Sequence, residues 1–279
     1  MSKIILFATF WNEIEWVEAS LDQISLINPQ EAILCDGCFD PAYPNQSTDG
    51  TREIIQSYVS KNDNMRMISA VRLTKLQHCF NWLRPLPHES APALFLPRLR
   101  YATGLHRWNI YRLNQAATFN YMLRISSCFR PGVWFMTYDC DQFYSDTMLK
   151  LFYRLNEGTP CNMLSGKELT FFDSFEAYSD NYEKRDYNNM PHRAFHDTRF
   201  IPTRHPARVV NGRYAVYSTF ETKMDAGVYF HYHIKSTNRM KLGYSLGNRR
   251  SPEEARIATM PFTGEHPTLI KERFLPCRH

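Results

Sequence analysis

The sequence predicts an α/β fold, a mostly parallel sheet flanked by helices and interrupted by one basic, aromatic insertion. Two observations predict it. Short apolar runs alternate with segments of helical period through the first seventy residues, the pattern of a parallel sheet covered on both faces. The 279 residues are 43% hydrophobic, enough for the core of one large domain and too apolar for a disordered chain.

Ile4-Ile5-Leu6-Phe7-Ala8 has the uninterrupted apolar character of a strand buried on both faces. Asn12 is placed to cap the next helix, with Glu15 at the capping-box position. Ile14, Val17, Leu21 and Ile24 then share one helical face. Ala32-Ile33-Leu34-Cys35 predicts a second buried strand, ended by Asp36-Gly37 and followed by a turn-rich loop over 40–46. Ser47-Thr48-Asp49-Gly50-Thr51 opens a second helix, and Met65 to Leu73 predicts a third strand. Residues 74–112 break this rhythm with Pro85, Pro87, Pro92 and Pro97 and are expected to form an irregular insertion.

Leu113 to Ser127 returns to helical period, and Val133 to Tyr138 is another buried strand that runs into Asp139-Cys140-Asp141. Ser145 or Asp146 caps the helix after it. A strand is expected over Met163 to Phe172, a polar loop region over 174–213, and late strands over Tyr214 to Thr219 and Gly227 to Ile234. The last forty residues are expected to be irregular. The chain thus divides into residues 1–155, which hold the 74–112 insertion, and 156–279, which end in a C-terminal extension.

Net charge is +5, but its distribution is uneven. Residues 1–70 carry 4 basic and 10 acidic side chains, whereas 71–112 carry 7 basic and only Glu89. Residues 192–279 carry 15 basic and 7 acidic side chains. Such asymmetry fits either contact with a polyanion or phosphate-binding residues on an ordinary solvated surface. No apolar run is long enough to span a bilayer. The N-terminus lacks a signal-peptide pattern, and the seven cysteines lack a disulfide-framework spacing, so a cytoplasmic location is expected. Cys35-x-x-Cys38 is read as two packed thiols, since no second pair completes a zinc site. No P-loop or Rossmann glycine fingerprint occurs.

The strongest chemical feature is Asp139-Cys140-Asp141. In extended backbone, residues i and i+2 project to one side, so the two carboxylates can share a hard divalent cation, Mg²⁺ or Mn²⁺. A bare D-x-D is usually a solvated turn. Its position at the C-terminal end of a buried strand, where open α/β sheets bind ligands, favours a site. Asp36 ends the second strand and is placed to accept from the imide N–H of a uracil, whereas Thr48 and Asp49 serve equally well as helix caps. His231-Tyr232-His233 offers an imidazole as a third metal ligand, although a regular strand turns only one of the two histidines toward the site.

Together these residues resemble the family 2 glycosyltransferases of GT-A fold. Phe10-Trp11-Asn12-Glu13 is similar to that family's strand-then-"NE" start. Asp36-Gly37 with Ser47-Thr48-Asp49-Gly50-Thr51 resembles its "DGSTDGT" segment, here split by a loop. Asn114-Gln115-Ala116-Ala117 and Asn120 resemble the helix before the metal strand. Tyr138-Asp139-Cys140-Asp141-Gln142-Phe143 resembles the "DxDxF" motif, and His231-Tyr232 followed by Lys235-Ser236 a C-terminal "HY" element.

The resemblance covers most of residues 3–155 and is sparse beyond. It implies a nucleotide-sugar donor, a UDP-sugar, with Thr9, Phe10, Glu13 and Asp36 along base and ribose. Trp11, Asn114 and Cys140 complete the donor-binding set. It implies Mn²⁺ or Mg²⁺ held by Asp139, Asp141 and His231. An inverting reaction would also need a carboxylate base. Asp173, Glu176, Asp197 and Asp225 are the candidates; none carries a family motif, and both stereochemical outcomes stay open.

The insertion interleaves its basic residues with Phe80, Trp82, Phe95, Tyr101, Trp108 and Tyr111. Basic groups neutralise phosphates and aromatics stack on bases or sugars. Two acceptors follow: a hydroxymethylated base in phage-type DNA, which must be flipped out to react, or a bacterial surface glycan. A non-catalytic carbohydrate- or nucleic-acid-binding module on the same scaffold is the remaining expectation.

Overall fold

The structure is a computed structural model that describes residues 2–89, 92–171, 174–179, 185–186, 189–219, 221–232 and 259–275. Strands β1 (Ile4–Phe10), β2 (Glu31–Asp36), β3 (Met65–Ser69) and β4 (Trp134–Asp139) pair in parallel, in the order β3-β2-β1-β4. Helices α1 (Val17–Ile27), α2 (Thr51–Val59) and α5 (Ile110–Ile125) lie in their crossover connections. Side chains of β1 alternate as the apolar run predicts. Ile4, Leu6, Ala8 and Phe10 enter one core, shared with α1 and α6 (Asp146–Arg154). Ile5 and Phe7 enter the other, against Phe119, Met122 and Leu123 of α5. Each fully buried side chain of this kind contributes about 1.5–3 kcal/mol.

Beyond β4 the sheet is mixed. The short β9 (His192–Arg193) is antiparallel to both β4 and β6 (Met163–Phe171). The long β13 (Lys223–Tyr232) runs parallel to β6 and antiparallel to β5 (Gln142–Tyr144). The sheet edge adds β7 (Ala177–Ser179), β8 (Arg185–Asp186) and β14 (Thr259–Pro261). A separate antiparallel sheet contains β10 (Arg199–Phe200), β11 (Pro206–Val210) and β12 (Arg213–Val216). Segment 174–213, expected as a polar loop, therefore carries strands. Each is only two to five residues long, too short to show a period. The expected C-terminal irregularity gives way, within the described residues, to β14 and to α7 (Thr268–Phe274), which packs against α1. No helix among the described residues is long and apolar enough to cross a membrane.

Residues 74–112 are also ordered. α3 (Lys75–Leu83) starts at a complete capping box of Thr74 and Gln77. α4 (Phe95–Gly104) tolerates Pro97 because it is the third residue, whose N–H would have no partner within the helix. Trp82, Ala102, Leu105 and Leu113 form a third core with Ile201 and Ala207. Pro85, Pro87 and Pro92 lie outside α3 and α4, and Pro97 lies in the first turn of α4, so none interrupts a helix.

One buried ion cluster fastens the insertion to β10. Glu89 accepts from the Leu86 N–H, from Arg98 at 3.0 Å and from Arg199 at 2.5 and 2.8 Å. Arg199 also donates to the Trp82 and Arg84 carbonyls. The Glu89 and Arg199 side chains are 0% and 2% exposed. Two of the basic residues read from charge as surface are thus structural.

The expected cap at Asn12 is not formed. Asn12 adopts a left-handed φ of 51°, its Oδ1 accepts from Thr48 N–H, and α1 starts five residues later. Cys35 and Cys38 are buried and unbridged, as the packed-thiol reading requires; burial, then the charge of Asp36, pushes the Cys35 thiol well up.

His192 of β9 is fully enclosed, and burial holds its pKa down at about 3. Unfolding exposes it to an ordinary value near 6.5. Its contribution is therefore complete above pH 6.5 and is lost as pH falls toward 3, because only the unfolded state takes up the proton. Urea midpoints are expected to fall between pH 7 and 5, and His192→Phe to flatten that fall. An equal slope in the variant would contradict this assignment.

Candidate functional site

The register of the parallel strands assembles the site. Thr9 lies beside Asp139, and Phe10 beside Asp36, at the C-terminal ends of β1, β4 and β2. There an open cleft of about 680 Å³ is lined by Thr9, Phe10, Trp11 and Glu13 from β1 and the turn after it. Gly37, Cys38 and Phe39 line it after β2, and Asp139, Cys140 and Asp141 after β4. Tyr111 and Gln115 of α5, Arg204 and His231 complete it.

The turn after β1 is held by the segment that opens α2. Ser47 Oγ accepts from Asn12 N–H, Asp49 Oδ2 from Ile14 N–H and Thr51 Oγ1 from Glu13 N–H. The turn after β1 and the second half of the split motif thus brace each other; Asp49 also accepts from Thr51 N–H, but the N-cap of α2 is Gly50, which makes no side-chain cap bond. Gly37 is required where it stands: a Cβ there would lie 2.3 Å from the Asn45 carbonyl oxygen. Gly37→Ala is expected to displace the Cys38–Phe39 wall and to lower the thermal midpoint by several degrees, which a melting curve would show. An unchanged midpoint would contradict this reading of Gly37.

Asp139 is engaged at both oxygens. Arg204 forms a fork with it, Nη1 to Oδ2 at 2.5 Å and Nη2 to Oδ1 at 2.6 Å. Thr9 and Asn189 donate to it at 3.4 Å. Bidentate Arg–carboxylate pairs of this kind are strong and directional. Arg204 sits in the tight β10–β11 turn, closed by Ile201 N–H to His205 O, and has a left-handed φ of 70°. Such backbone conformations are rare for a long side chain and gather at functional positions.

Asp141 faces His231 across the β5–β13 pairing. His231 Nε2 lies 3.3 Å from Asp141 Oδ2, and Nδ1 lies 2.9 Å from Glu168 Oε1. Glu168 also accepts from Thr170 and Tyr229. Burial would raise the Glu168 pKa, but the His231 charge and these bonds outweigh it and hold the value at about 2. Burial alone would lower the His231 pKa; Asp141 and Glu168 more than reverse that and hold it well up.

Among the described residues no three His, Cys, Asp or Glu side chains are grouped to hold a metal ion. The expected trio of Asp139, Asp141 and His231 is divided, because Asp139 is turned onto Arg204. The remaining pair, Asp141 and His231, is held together as a carboxylate and a charged imidazole, so a hard divalent cation would bind there only with release of the ring proton. Asp141 and His231 offer one oxygen and one nitrogen donor into the cleft, and Glu168 sits behind the imidazole as the outer carboxylate typical of metal-bound histidines. Mg²⁺-type sites keep few protein ligands and take the rest from phosphate and water.

Other expected residues fall elsewhere. Asp36 is fully buried and does not line the cleft; its carboxylate accepts from Ser47 and from Arg52 at 3.0 Å. It positions the turn at Gly37 and is not exposed to a base. Asn114 is likewise buried, binding Leu73 N–H, His78 and the Phe39 carbonyl. Its neighbour Gln115 faces the cleft in its place. Cys140 is buried at the cleft wall, and Ser20 donates to its carbonyl.

Of the base candidates, Asp173 lies outside the described residues. Glu176, Asp197 and Asp225 do not line the cleft. Asp197 accepts from Val209 N–H and Asp225 from Gly227 N–H. The cleft carboxylates are Glu13, Asp139 and Asp141. His233, Lys235 and Ser236 lie outside the described residues. Tyr111, expected only among the stacking aromatics of the insertion, lines the cleft, whereas Arg204, Glu168 and Phe39 were not foreseen; a two-residue strand and a five-residue turn give Arg204 no sequence signature. No protein-family model matches the chain, and no curated protein matches it.

Proposed function

We propose that the protein is a divalent-metal-dependent glycosyltransferase of GT-A type that moves a sugar from a nucleotide-sugar, a UDP-sugar, to a hydroxyl acceptor. The observation that carries this reading is the convergence of the Asp141–His231 pair and the Arg204 guanidinium in one cleft at the strand ends. Breaking a sugar–phosphate bond builds negative charge on the leaving diphosphate, and fixed positive charge stabilises that build-up. Asp141 and His231 would hold Mn²⁺ or Mg²⁺, which supplies Lewis-acid stabilisation when bound. The aromatic walls Phe10, Trp11, Phe39 and Tyr111 suit a base or sugar ring.

Arg204 is placed to exchange Asp139 for the donor diphosphate, whose oxygens suit the same fork. Arg204→Ala is expected to weaken UDP binding by about tenfold to a hundredfold, the range of a lost charge-assisted pair. Arg204→Lys is expected to restore little. Unchanged calorimetric affinity in both variants would leave Arg204 only the task of holding Asp139. A thermal-shift screen of UDP-, GDP- and dTDP-sugars with Mn²⁺ tests the donor class. Stabilisation by UDP-sugars in Mn²⁺ alone supports the proposal, and no shift by any donor contradicts it.

For the acceptor we favour a glycan. Trp82, Tyr101 and Tyr214 pack on one another, Trp82 and Tyr101 stacked at 4.6 Å. These rings are occupied in the core, so the aromatic part of the DNA argument is reduced to exposed Phe80 and Phe95. Exposed Lys75, Arg84, Arg100 and Arg107 keep the DNA acceptor as a second reading. A salt-sensitive gel shift with duplex DNA would favour it. A non-catalytic binding module draws support from the Arg204–Asp139 pair. Sugar release from a donor in Mn²⁺, lost in Asp141→Ala, would exclude it.

A further inference from the structure

Helices α3 and α4 carry apolar side chains on their outer as well as their inner faces. The inner faces send Trp82 and Ala102 into the third core. The outer faces turn Leu76 and Phe80 of α3, and Phe95, Leu96 and Leu99 of α4, into solvent; Leu76, Phe80 and Leu96 are 67%, 61% and 61% exposed. A surface helix ordinarily presents polar residues on that side. Among the described residues, five of the nine exposed large hydrophobic side chains lie on this one helical pair, so the apolar surface is gathered in one place and not scattered.

The two stripes adjoin. Cys79 Sγ donates to the Ala102 carbonyl at 3.6 Å, and Lys75 Nζ to the His106 carbonyl just after α4 at 3.1 Å, so the helices lie side by side and antiparallel. Leu76 and Phe80 each follow one of these seam residues by one position and, four apart, share one face of α3. Leu99 and Phe95 stand three and seven positions before Ala102, on its side of α4. The result is an apolar ridge along the outer edge of the seam. Cations flank it: Lys75 precedes Leu76, Arg84 lies four residues beyond Phe80, Arg100 four beyond Leu96, and Arg107 follows α4, all of them exposed. The one acidic residue of 71–112, Glu89, is sealed in the cluster with Arg199, so no carboxylate of the insertion faces outward.

We propose that this ridge docks the protein on an anionic lipid surface, with the Leu and Phe side chains among the acyl chains and the four cations at the lipid phosphates. Interfacial binding draws on this same pairing of apolar area with basic charge. The other occupants match only part of the surface. A nucleic-acid backbone answers the cations but offers nothing to Leu76, Leu96 and Leu99. A two-fold dimer of this chain would set the face against itself, gathering the cations of both copies with no carboxylate of the ridge between them. The ridge shares no residue with the cleft, so its test stands apart from the nucleotide-sugar reading.

Vesicle flotation of the full chain, without donor or divalent cation, tests it. Vesicles of equal parts phosphatidylglycerol and phosphatidylcholine are expected to carry the protein at low salt, and less of it as salt rises. Phosphatidylcholine alone is expected to carry little. Phe80→Ser combined with Leu96→Ser is expected to weaken partition about tenfold or more. Arg84→Gln, Arg100→Gln and Arg107→Gln are each expected to weaken it about fivefold. All these side chains are exposed, so an unchanged thermal midpoint serves as the folding control. Phe80→Trp is expected to gain fluorescence quenching by brominated acyl chains over the wild type, which places the ridge within the lipid. No partition onto the anionic vesicles, equal partition onto phosphatidylcholine, or unchanged partition in the Phe80/Leu96 variant would each overturn the proposal. A duplex-DNA gel shift lost in the arginine variants, or a dimer lost in Phe80→Ser, without vesicle binding, would overturn it in favour of nucleic acid or a second copy.

Discussion

Asp141→Ala is expected to remove metal-dependent donor turnover, by about 10³-fold or more, while the fold survives. The size follows from the several kcal/mol of charge stabilisation that a bound cation supplies to a leaving diphosphate, at about 1.4 kcal/mol for each factor of ten. The fold survives because Asp141 is in the cleft wall and partly exposed, and its backbone carbonyl, not its side chain, accepts from Tyr232 N–H. His231→Ala is expected to behave alike, since it removes the second donor of the same pair. Asp139→Ala is a different experiment, although the sequence treats the two aspartates as equals. It frees Arg204 from its fork, so a loss smaller than that of Asp141→Ala is expected. Sugar release from a UDP-sugar in Mn²⁺, with circular dichroism as the folding control, measures all three. Wild-type turnover in Asp141→Ala would contradict the assignment.

Glu89→Ala is expected to have the largest effect on stability, a loss of roughly 3–5 kcal/mol in urea unfolding at pH 7. Glu89 is enclosed between Arg98 and Arg199, whose side chains are 4% and 2% exposed. Removing the carboxylate leaves two guanidinium groups in the interior facing each other's charge. The pair also joins the α3–α4 insertion to β10, and β10 leads directly into the Arg204 turn. The variant is therefore expected to lose UDP affinity as well. A loss below about 1 kcal/mol would show that the cluster relaxes into solvent. Replacing all three residues with apolar ones of similar volume is expected to cost much less than Glu89→Ala, because no charge is then left unpaired.

The half of the fold built from β1 to β4 was legible because parallel, doubly covered strands write continuous apolar runs, as Ile4 to Ala8 and Val133 to Tyr138 do. Ser145 was recognisable as a cap for the same local reason, and it does accept from Met148 N–H. The insertion was misread because proline is counted as a breaker without regard to position. Pro97 lies in the first turn of α4, where it costs no hydrogen bond. The strands within 174–213 were missed because pairing, not periodicity, creates them: β9 exists only because β4 and β6 flank it.

The site divides in the same way. Asp139, Asp141 and His231 stood out by their positions at strand ends, and the structure brings all three to the cleft. Their division into an Arg204-bound and a His231-bound carboxylate depends on a turn 65 residues away, which no local pattern announces. Asp36 was misjudged because a carboxylate at a strand end suggests a ligand, yet Ser47 of the following loop and Arg52 of the next helix arrive to satisfy it.

The central claim is that this cleft binds a nucleoside diphosphate through a divalent cation held by Asp141 and His231. Calorimetric titration of UDP into the wild-type protein, in Mn²⁺ and again in EDTA, tests it most directly. The account predicts a single saturable binding event in Mn²⁺ that disappears in EDTA. No heat of binding in Mn²⁺, or the same affinity with and without the metal, would contradict it.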